Sequence, residues 1–177
     1  MKTQIMVIAA ISDKDMLLKA CETKCKIVFD LAPNIEQIEE YVAICHRYNK
    51  TIFVHIDLAE GIGKDKYGLR FLKKLGVDGI ISTRAVMIKA AKELEMKTVQ
   101  RIFILDSHSL RTAEAIVKNG ADMIEIMPGI IPVAIRELHE NVDTPIIAGG
   151  LVRNEEDVRM ILEAGAVAAS TSESDLW

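Results

Sequence analysis

Several features are missing from this sequence, and each absence narrows what it can be. No apolar run approaches the ~18–20 residues of a membrane span, so no transmembrane segment is expected. The start, MKTQIMVIAAISDKD, has only a short apolar stretch, no small-residue cleavage site, and acidic residues directly after it. That pattern argues against a secretion signal. Cysteine is scarce: Cys21, Cys25 and Cys45 are an odd set, which without an export signal fits reduced thiols and a cytoplasmic protein. The Cys21–Cys25 spacing and the Cys45–His46 pair resemble a zinc set, but both segments carry helical apolar spacing. They are expected to be core or surface thiols, with no metal. Positive charge is in short supply: 22 Lys and Arg against 26 Asp and Glu leave a net charge of −4. A polyanion would need a local basic patch, a partner or an assembly. Linkers, low-complexity tracts and composition breaks are missing as well, so residues 1–177 are expected to form a single domain.

What is present is an alternation. Eight short runs rich in Ile, Val and Ala occupy 5–11, 26–32, 51–58, 79–82, 98–105, 123–127, 145–148 and 167–170, with seven segments of helical spacing between them. Near-continuous apolar strands alternating with amphipathic helices indicate a parallel sheet covered by helices or closed on itself. Helix signals support the division. Asn34 precedes Ile35, Ile38 and Val42, with Gln37 placed as a capping-box partner. Asn154 precedes Glu155 and Glu156, which suit a helix N-terminus. Gly76, Gly120 and Gly165 read as helix stops.

Eight such units predict an α/β fold, a compact TIM-like (β/α)8 barrel. Only residues 173–177 follow the last strand, so the last helix should be short or missing. Either Trp177 folds back over the bare flank or a second subunit of a homo-oligomer covers it. A doubly wound open sheet is the alternative, weakened because no glycine-rich fingerprint follows the first strand.

Strand side chains alternate between faces, and the outer face of a barrel meets helices. In TIFVHIDLAEG, Ile52, Val54 and Ile56 should face outward, and Phe53, His55 and Asp57 inward. By the same parity Arg101 and Glu125 point into the lumen, with Arg84 at the C-terminal end of its strand. His55, Asp57, Arg84, Arg101 and Glu125 are the candidate ligand-binding set. Arg101 and Glu125 read equally well as a buried pair that locks register, and His55 as a core histidine.

Barrels often bind phosphate in the loops after strands seven and eight. Gly149, Gly150 and Arg153 follow the seventh run, and Ser170, Thr171 and Ser172 the eighth. Small residues let backbone N–H groups approach, hydroxyls add donors, and arginine adds charge. These six are the expected phosphate-binding residues. The plain alternatives are a tight turn and a cap.

The segments FVHIDLAEGIGKDKYG, DGIISTR, VQRIFILD, IEIMPGIIP, IIAGGLVRNEEDV and AGAVAASTSESDLW, in this order, resemble the glycerol uptake operon antiterminator family. The resemblance covers nearly the whole chain. It implies a small (β/α) barrel with a regulatory rather than catalytic activity: a cytoplasmic regulator of glycerol metabolism that responds to glycerol 3-phosphate. It further implies binding of the leader mRNA of a glycerol operon, transcription antitermination and effects on message stability. Glycerol 3-phosphate would be an effector, with no cofactor and no catalytic residue. One departure is Ser12, in IAAISDKD, where family members tend to carry arginine. Gly61, Gly63 and Gly68, beside Lys64 and Lys66, form a candidate switch loop, or else an ordinary solvated one. The enzyme alternative is a small barrel isomerase, epimerase or lyase acting on a phosphorylated metabolite, with His55, Asp57 or Glu125 as acid or base. No lysine lies well inside a strand, Lys26 being only at a strand's start, which argues against a Schiff-base aldolase.

Overall fold

A computed structural model describes residues 6–117 and 120–177. Eight parallel strands close into a barrel: β1 (Val7–Ile11), β2 (Ile27–Asp30), β3 (Thr51–His55), β4 (Gly79–Ser82), β5 (Lys97–Phe103), β6 (Met123–Met127), β7 (Ile146–Gly149) and β8 (Ala168–Thr171). β1 pairs with β2 on one side and with β8 on the other, Ile8 facing Ser170, which seals the ring. Seven helices alternate with the strands: α1 (Lys14–Glu22), α2 (Ile38–Arg47), α3 (Lys66–Lys74), α4 (Ala85–Glu93), α5 (Ser107–Val117), α6 (Pro132–Asn141) and α7 (Glu155–Glu163). Ile5, expected in the first strand, lies outside the described residues.

Local chemistry sets several boundaries. The Asp13 side chain accepts from the Met16 N–H (2.8 Å), Asp65 from Tyr67 and Gly68 (2.8 and 3.0 Å), and Asn154 from Asp157 (2.9 Å), each satisfying donors that a helix start leaves open. At the opposite end of the barrel, Asp78 accepts from the Ile52 N–H (2.9 Å) and Asp122 from Thr98 (2.9 Å), so a carboxylate just before one strand ties down the start of its neighbour.

Two expected features differ. Asn34 does not cap α2, which begins at Ile38, and Gln37 forms no capping box. Asn34 instead builds a turn, accepting from the Glu36 N–H with its side chain (2.8 Å), while the adjoining backbone bridges to Glu60. Competition from that bridge delays the helix by one turn. β3 ends at His55, and Ile56–Leu58 form a 3-10 turn rather than more strand.

The core has an inside and an outside. Ile8, Ala10, Phe29, Phe53, Ile81, Val99, Ile147 and Ala168 fill the lumen. Phe29 and Phe53 pack as tilted rings with centroids 5.6 Å apart. Gly79 makes room for them, since a Cβ there would stand 2.6 Å from Cδ1 of Phe53. The outer faces pack against the helices in two larger clusters. A carboxyl intrudes on the outer face: Asp30 points outward from β2, 1% exposed, with Oδ1 accepting from the Ala32 N–H (3.1 Å) and Oδ2 unpartnered. Burial pushes its carboxyl up to about 6.

The flank after β8 carries a single 3-10 turn, Ser174–Leu176, instead of a helix. Trp177 folds back over it, the first of the two coverings expected for this flank. Its indole Nε1 donates to the Thr171 carbonyl (2.9 Å), and its ring packs on the cluster beneath α1 and α2, while Leu176 packs on the cluster beneath α6 and α7. The last two residues therefore join the two outer cores. A recess of about 800 Å³ remains beside them, lined in part by Val7, Ile27, Val158 and Leu176.

Two stability measurements follow. Trp177→Ala should lower the free energy of urea unfolding by ~1–3 kcal/mol, below the full range for burying an aromatic because the ring is half-buried, and Trp177→Phe by about 1 kcal/mol. For Asp30, the folded carboxyl titrates above its unfolded value. Its stabilising contribution is present below the unfolded pKa and is lost as pH rises through about 6. Asp30→Asn should match the parent near pH 4 and exceed it by up to ~3 kcal/mol at pH 8, read as the difference between the two stability–pH curves.

Candidate functional site

The C-terminal mouth of the lumen is where the buried charges meet. Arg101 and Glu125 sit opposite each other on β5 and β6. Arg101 Nε donates to Glu125 Oε2 at 2.7 Å, with the side chains 8% and 1% exposed. The second carboxylate oxygen, Oε1, accepts from the Ser170 hydroxyl at 2.5 Å. That bond spans β7, and Gly149 makes it possible. A Cβ on Gly149 would overlap the Ser170 hydroxyl and stand 2.7 Å from Glu125 Oε1. A guanidinium, a carboxylate and a hydroxyl thus form one chain across the top of the lumen. Partners of this kind are what a buried carboxylate requires.

His55 closes the end of β3 beside this chain. It is 3% exposed, and its Nδ1 has no partner. Burial first, and the Arg101 charge second, lower its pKa to about 4 despite the opposing Asp57. The imidazole is neutral at neutral pH, and it brings an uncommitted ring nitrogen to the mouth.

Asp57 does not follow the strand parity expected of it, because the chain has already turned into the 3-10 helix. Its carboxylate accepts from the Ser82 hydroxyl (2.7 Å), the Thr83 N–H (2.7 Å), the Thr83 hydroxyl (2.9 Å) and Arg84 Nε (3.0 Å). Burial raises its pKa, but these bonds outweigh burial and hold it below the usual carboxylate range. Asp57 clamps the β3–α3 connection to the β4–α4 loop and fixes Arg84, which precedes α4 with its side chain 43% exposed.

The loops expected to hold phosphate are arranged differently from a simple pair of donor turns. Gly149 is the last residue of β7, and Gly150 follows in a left-handed conformation (φ 80°), as does Leu151 (φ 62°). The Gly150 carbonyl accepts from the Gly129 N–H (3.1 Å). Gly129 packs so closely that a Cβ would stand 2.7 Å from the Gly149 nitrogen. Ser170 is committed to Glu125. The Thr171 hydroxyl donates to the Val152 carbonyl (2.8 Å) and accepts from the Glu173 N–H (3.0 Å). Ser172 and Arg153 are exposed, the latter's backbone N–H donating to Asp157 (2.8 Å).

Parity thus brings Arg101, Glu125, Ser170 and His55 together, while Asp57 and Arg84 form a second, neighbouring group. Several polar residues went unanticipated: Ser82 and Thr83, which hold Asp57, and Asp30 and Gln100, which are buried on outward strand faces with Oδ2 and Oε1 unpartnered. Parity itself was the available signal for the last two, since it sets Asp30 opposite Phe29 and Gln100 opposite Arg101. Cys21, Cys25 and Cys45 are buried thiols, Cys45 being pushed up to about 12 by burial. Among the described residues no group of three or more His, Cys, Asp or Glu could hold a metal ion, and no helix is long and apolar enough to cross a membrane.

Comparison with known proteins gives a consistent result. The crystal structure of the glycerol uptake operon antiterminator regulatory protein from Listeria monocytogenes superposes with a TM-score of 0.92 at 32% identity, covering 99% of this chain and 96% of that one. A glycerol uptake operon antiterminator-related protein from Thermotoga maritima gives 0.86 at 34% identity, covering 98% of both chains. An uncharacterized Escherichia coli protein, YgcP, is 38% identical over 173 residues, 97% of this chain and 91% of its own length. Aldolases at 12–15% identity share the fold alone. The family model described as glycerol-3-phosphate responsive antiterminator matches residues 7–177, and the chain belongs to that family.

Proposed function

We propose that this protein is a glycerol-3-phosphate-responsive antiterminator, a non-catalytic sensor whose barrel mouth binds glycerol 3-phosphate and whose bound state acts on the leader mRNA of a glycerol operon. The observation that carries the ligand reading is the Arg101–Glu125–Ser170 chain at the C-terminal end of the lumen, in a barrel of this family. Glu125 and the neutral His55 offer hydrogen bonds to the two hydroxyls of glycerol. Beyond Nε, Arg101 carries four further N–H donors. The phosphate lies at the rim, where Gly150, Arg153 and Ser172 surround it with small residues, positive charge and a hydroxyl, and the Ser170–Thr171 strand end supports it from below. Arg84, held by Asp57, adds a second cation on the facing side.

A ligand controls a regulator only by binding two states unequally. The connection containing Gly61, Gly63, Lys64 and Gly68 is the element we assign to that role. It starts next to Asp57, buries Ile62, and packs Gly68 against the Gly63 carbonyl so tightly that no side chain fits there. The aldolase alternative lacks its lysine: the strand lysine Lys97 opens β5, exposed at the end of the barrel opposite the mouth.

Thermal unfolding with glycerol 3-phosphate, glycerol and inorganic phosphate in parallel tests the reading. A ligand at 100 times its dissociation constant adds ~2.7 kcal/mol, and glycerol 3-phosphate alone should give the full shift. Gly150→Asp, which adds a carboxylate at a left-handed position and whose Cβ would stand 2.7 Å from the Met127 methyl, should abolish it. Glu125→Gln should reduce it. Equal stabilisation by phosphate alone would remove glycerol 3-phosphate as the specific effector, and no stabilisation by any of the three would remove the phosphate site.

A further inference from the structure

The net charge of −4 is unevenly distributed. Residues 64–97 contain nine Lys and Arg against four Asp and Glu, a local net charge of +5, so the rest of the chain carries −9. This stretch forms α3 and α4, adjacent on the outside of the barrel. They are joined where the Lys73 ammonium donates to the Leu94 carbonyl. Two of its acids are occupied: Asp65 caps α3, and Asp78 binds the Ile52 N–H and His46. On α3 the buried positions are Gly68, Leu69 and Leu72, so Lys66, Arg70, Lys73 and Lys74 lie along the outer face. Lys89 of α4 is exposed as well.

An aromatic ring stands among these cations. Tyr67, in the first turn of α3, is 66% exposed. The Lys66 ammonium lies 5.1 Å from its ring centroid and the Arg70 guanidinium 5.8 Å. Helices run back down a barrel, so this first turn lies on the mouth rim, as does Arg84 at the start of α4. An exposed ring flanked by cations, on a helix that tracks positive charge away from it, matches the needs of a single nucleic-acid strand: a platform on which a base stacks and a basic track for its phosphates. A double helix would gain nothing from the ring, because its bases are already stacked.

We propose that the outer face of α3 and the start of α4 is the RNA-binding surface, with Tyr67 stacking on an unpaired base and Lys66, Arg70, Lys74 and Arg84 contacting phosphates. This rests on the antiterminator reading, which supplies RNA as the partner. It also places the RNA directly outside the loop that joins Asp57 to α3, so a rearrangement of that loop on ligand binding would move Lys64, Lys66 and Tyr67.

The test uses the full chain, saturated with glycerol 3-phosphate, and a labelled transcript of the glycerol-operon leader from the same genome, followed by fluorescence anisotropy at two salt concentrations. Three variants are compared: Lys66→Glu with Arg70→Glu, Tyr67→Ala, and, as a control on the opposite side of the barrel, Arg159→Glu on α7. All of these side chains are exposed, so melting temperatures with and without glycerol 3-phosphate should stay close to the parent value and verify folding. The double reversal should weaken binding more than tenfold and flatten the log–log salt slope by ~0.7 for each phosphate no longer neutralised. Tyr67→Ala should weaken it about tenfold, and Arg159→Glu should leave it within twofold. If the parent binds and the α3 variants bind equally well, or if Arg159→Glu weakens binding as much as they do, the surface assignment is overturned while the antiterminator reading stands. If the parent does not bind the leader with or without glycerol 3-phosphate, both are overturned.

Discussion

The top of this barrel depends on a bond made across a strand. Glu125 on β6 reaches Ser170 on β8 because Gly149, on the intervening β7, has no side chain to block the path. With Arg101 on the other side, three strands are tied together in a layer where an apolar core gives way to a polar mouth. A buried carboxylate with only one partner would be a heavy cost. With a guanidinium on one oxygen and a hydroxyl on the other it becomes a fixed point, around which His55 and the Gly129–Gly150 contact are placed. The same constraint explains why glycine appears here: Gly149 serves the lumen, and Gly150 serves the loop.

The second organising interaction is Asp57, and it works in the opposite sense. Its carboxylate looks outward along the rim instead of into the lumen and accepts four hydrogen bonds from Ser82, Thr83 and Arg84. The β3–α3 connection and the start of α4 therefore behave as one piece. That piece carries the glycine-rich turn, the exposed tyrosine and much of the basic stretch. The mouth of the barrel and its charged flank share an anchor, which gives the rim a mechanical link to the outer surface without any change in the barrel.

Much of this was legible in the residues. Strand periodicity located all eight strands and put Arg101, Glu125 and His55 inside, because the alternating apolar residues of each strand must face the helices. The failures have physical causes. Asp57 defied parity because the strand ended at His55, three residues before the end of its apolar run. Asn34 lost its capping role to a backbone bridge with Glu60, an interaction 26 residues away that no local pattern encodes. Asp30 and Gln100 face outward among helices, against the rule that polar strand residues seek the lumen. The role of Gly149 depends on three strands at once. The basic flank was hidden in a net negative total, because its charges lie on two helices and become a surface only when α3 and α4 are side by side.

The seam at the end of the chain has an optical consequence. Trp177 is the only tryptophan in the protein, and it is wedged where the first and last turns of the barrel meet, with its N–H on the Thr171 carbonyl. Its N–H partner is the last residue of β8, so its fluorescence senses both the closing seam and the mouth end of that strand. Emission that changes on ligand addition would mean that an event at the rim had passed down the end of β8 into the closing seam. Emission that holds steady until denaturation would mark the barrel as a rigid frame on which only the loops move.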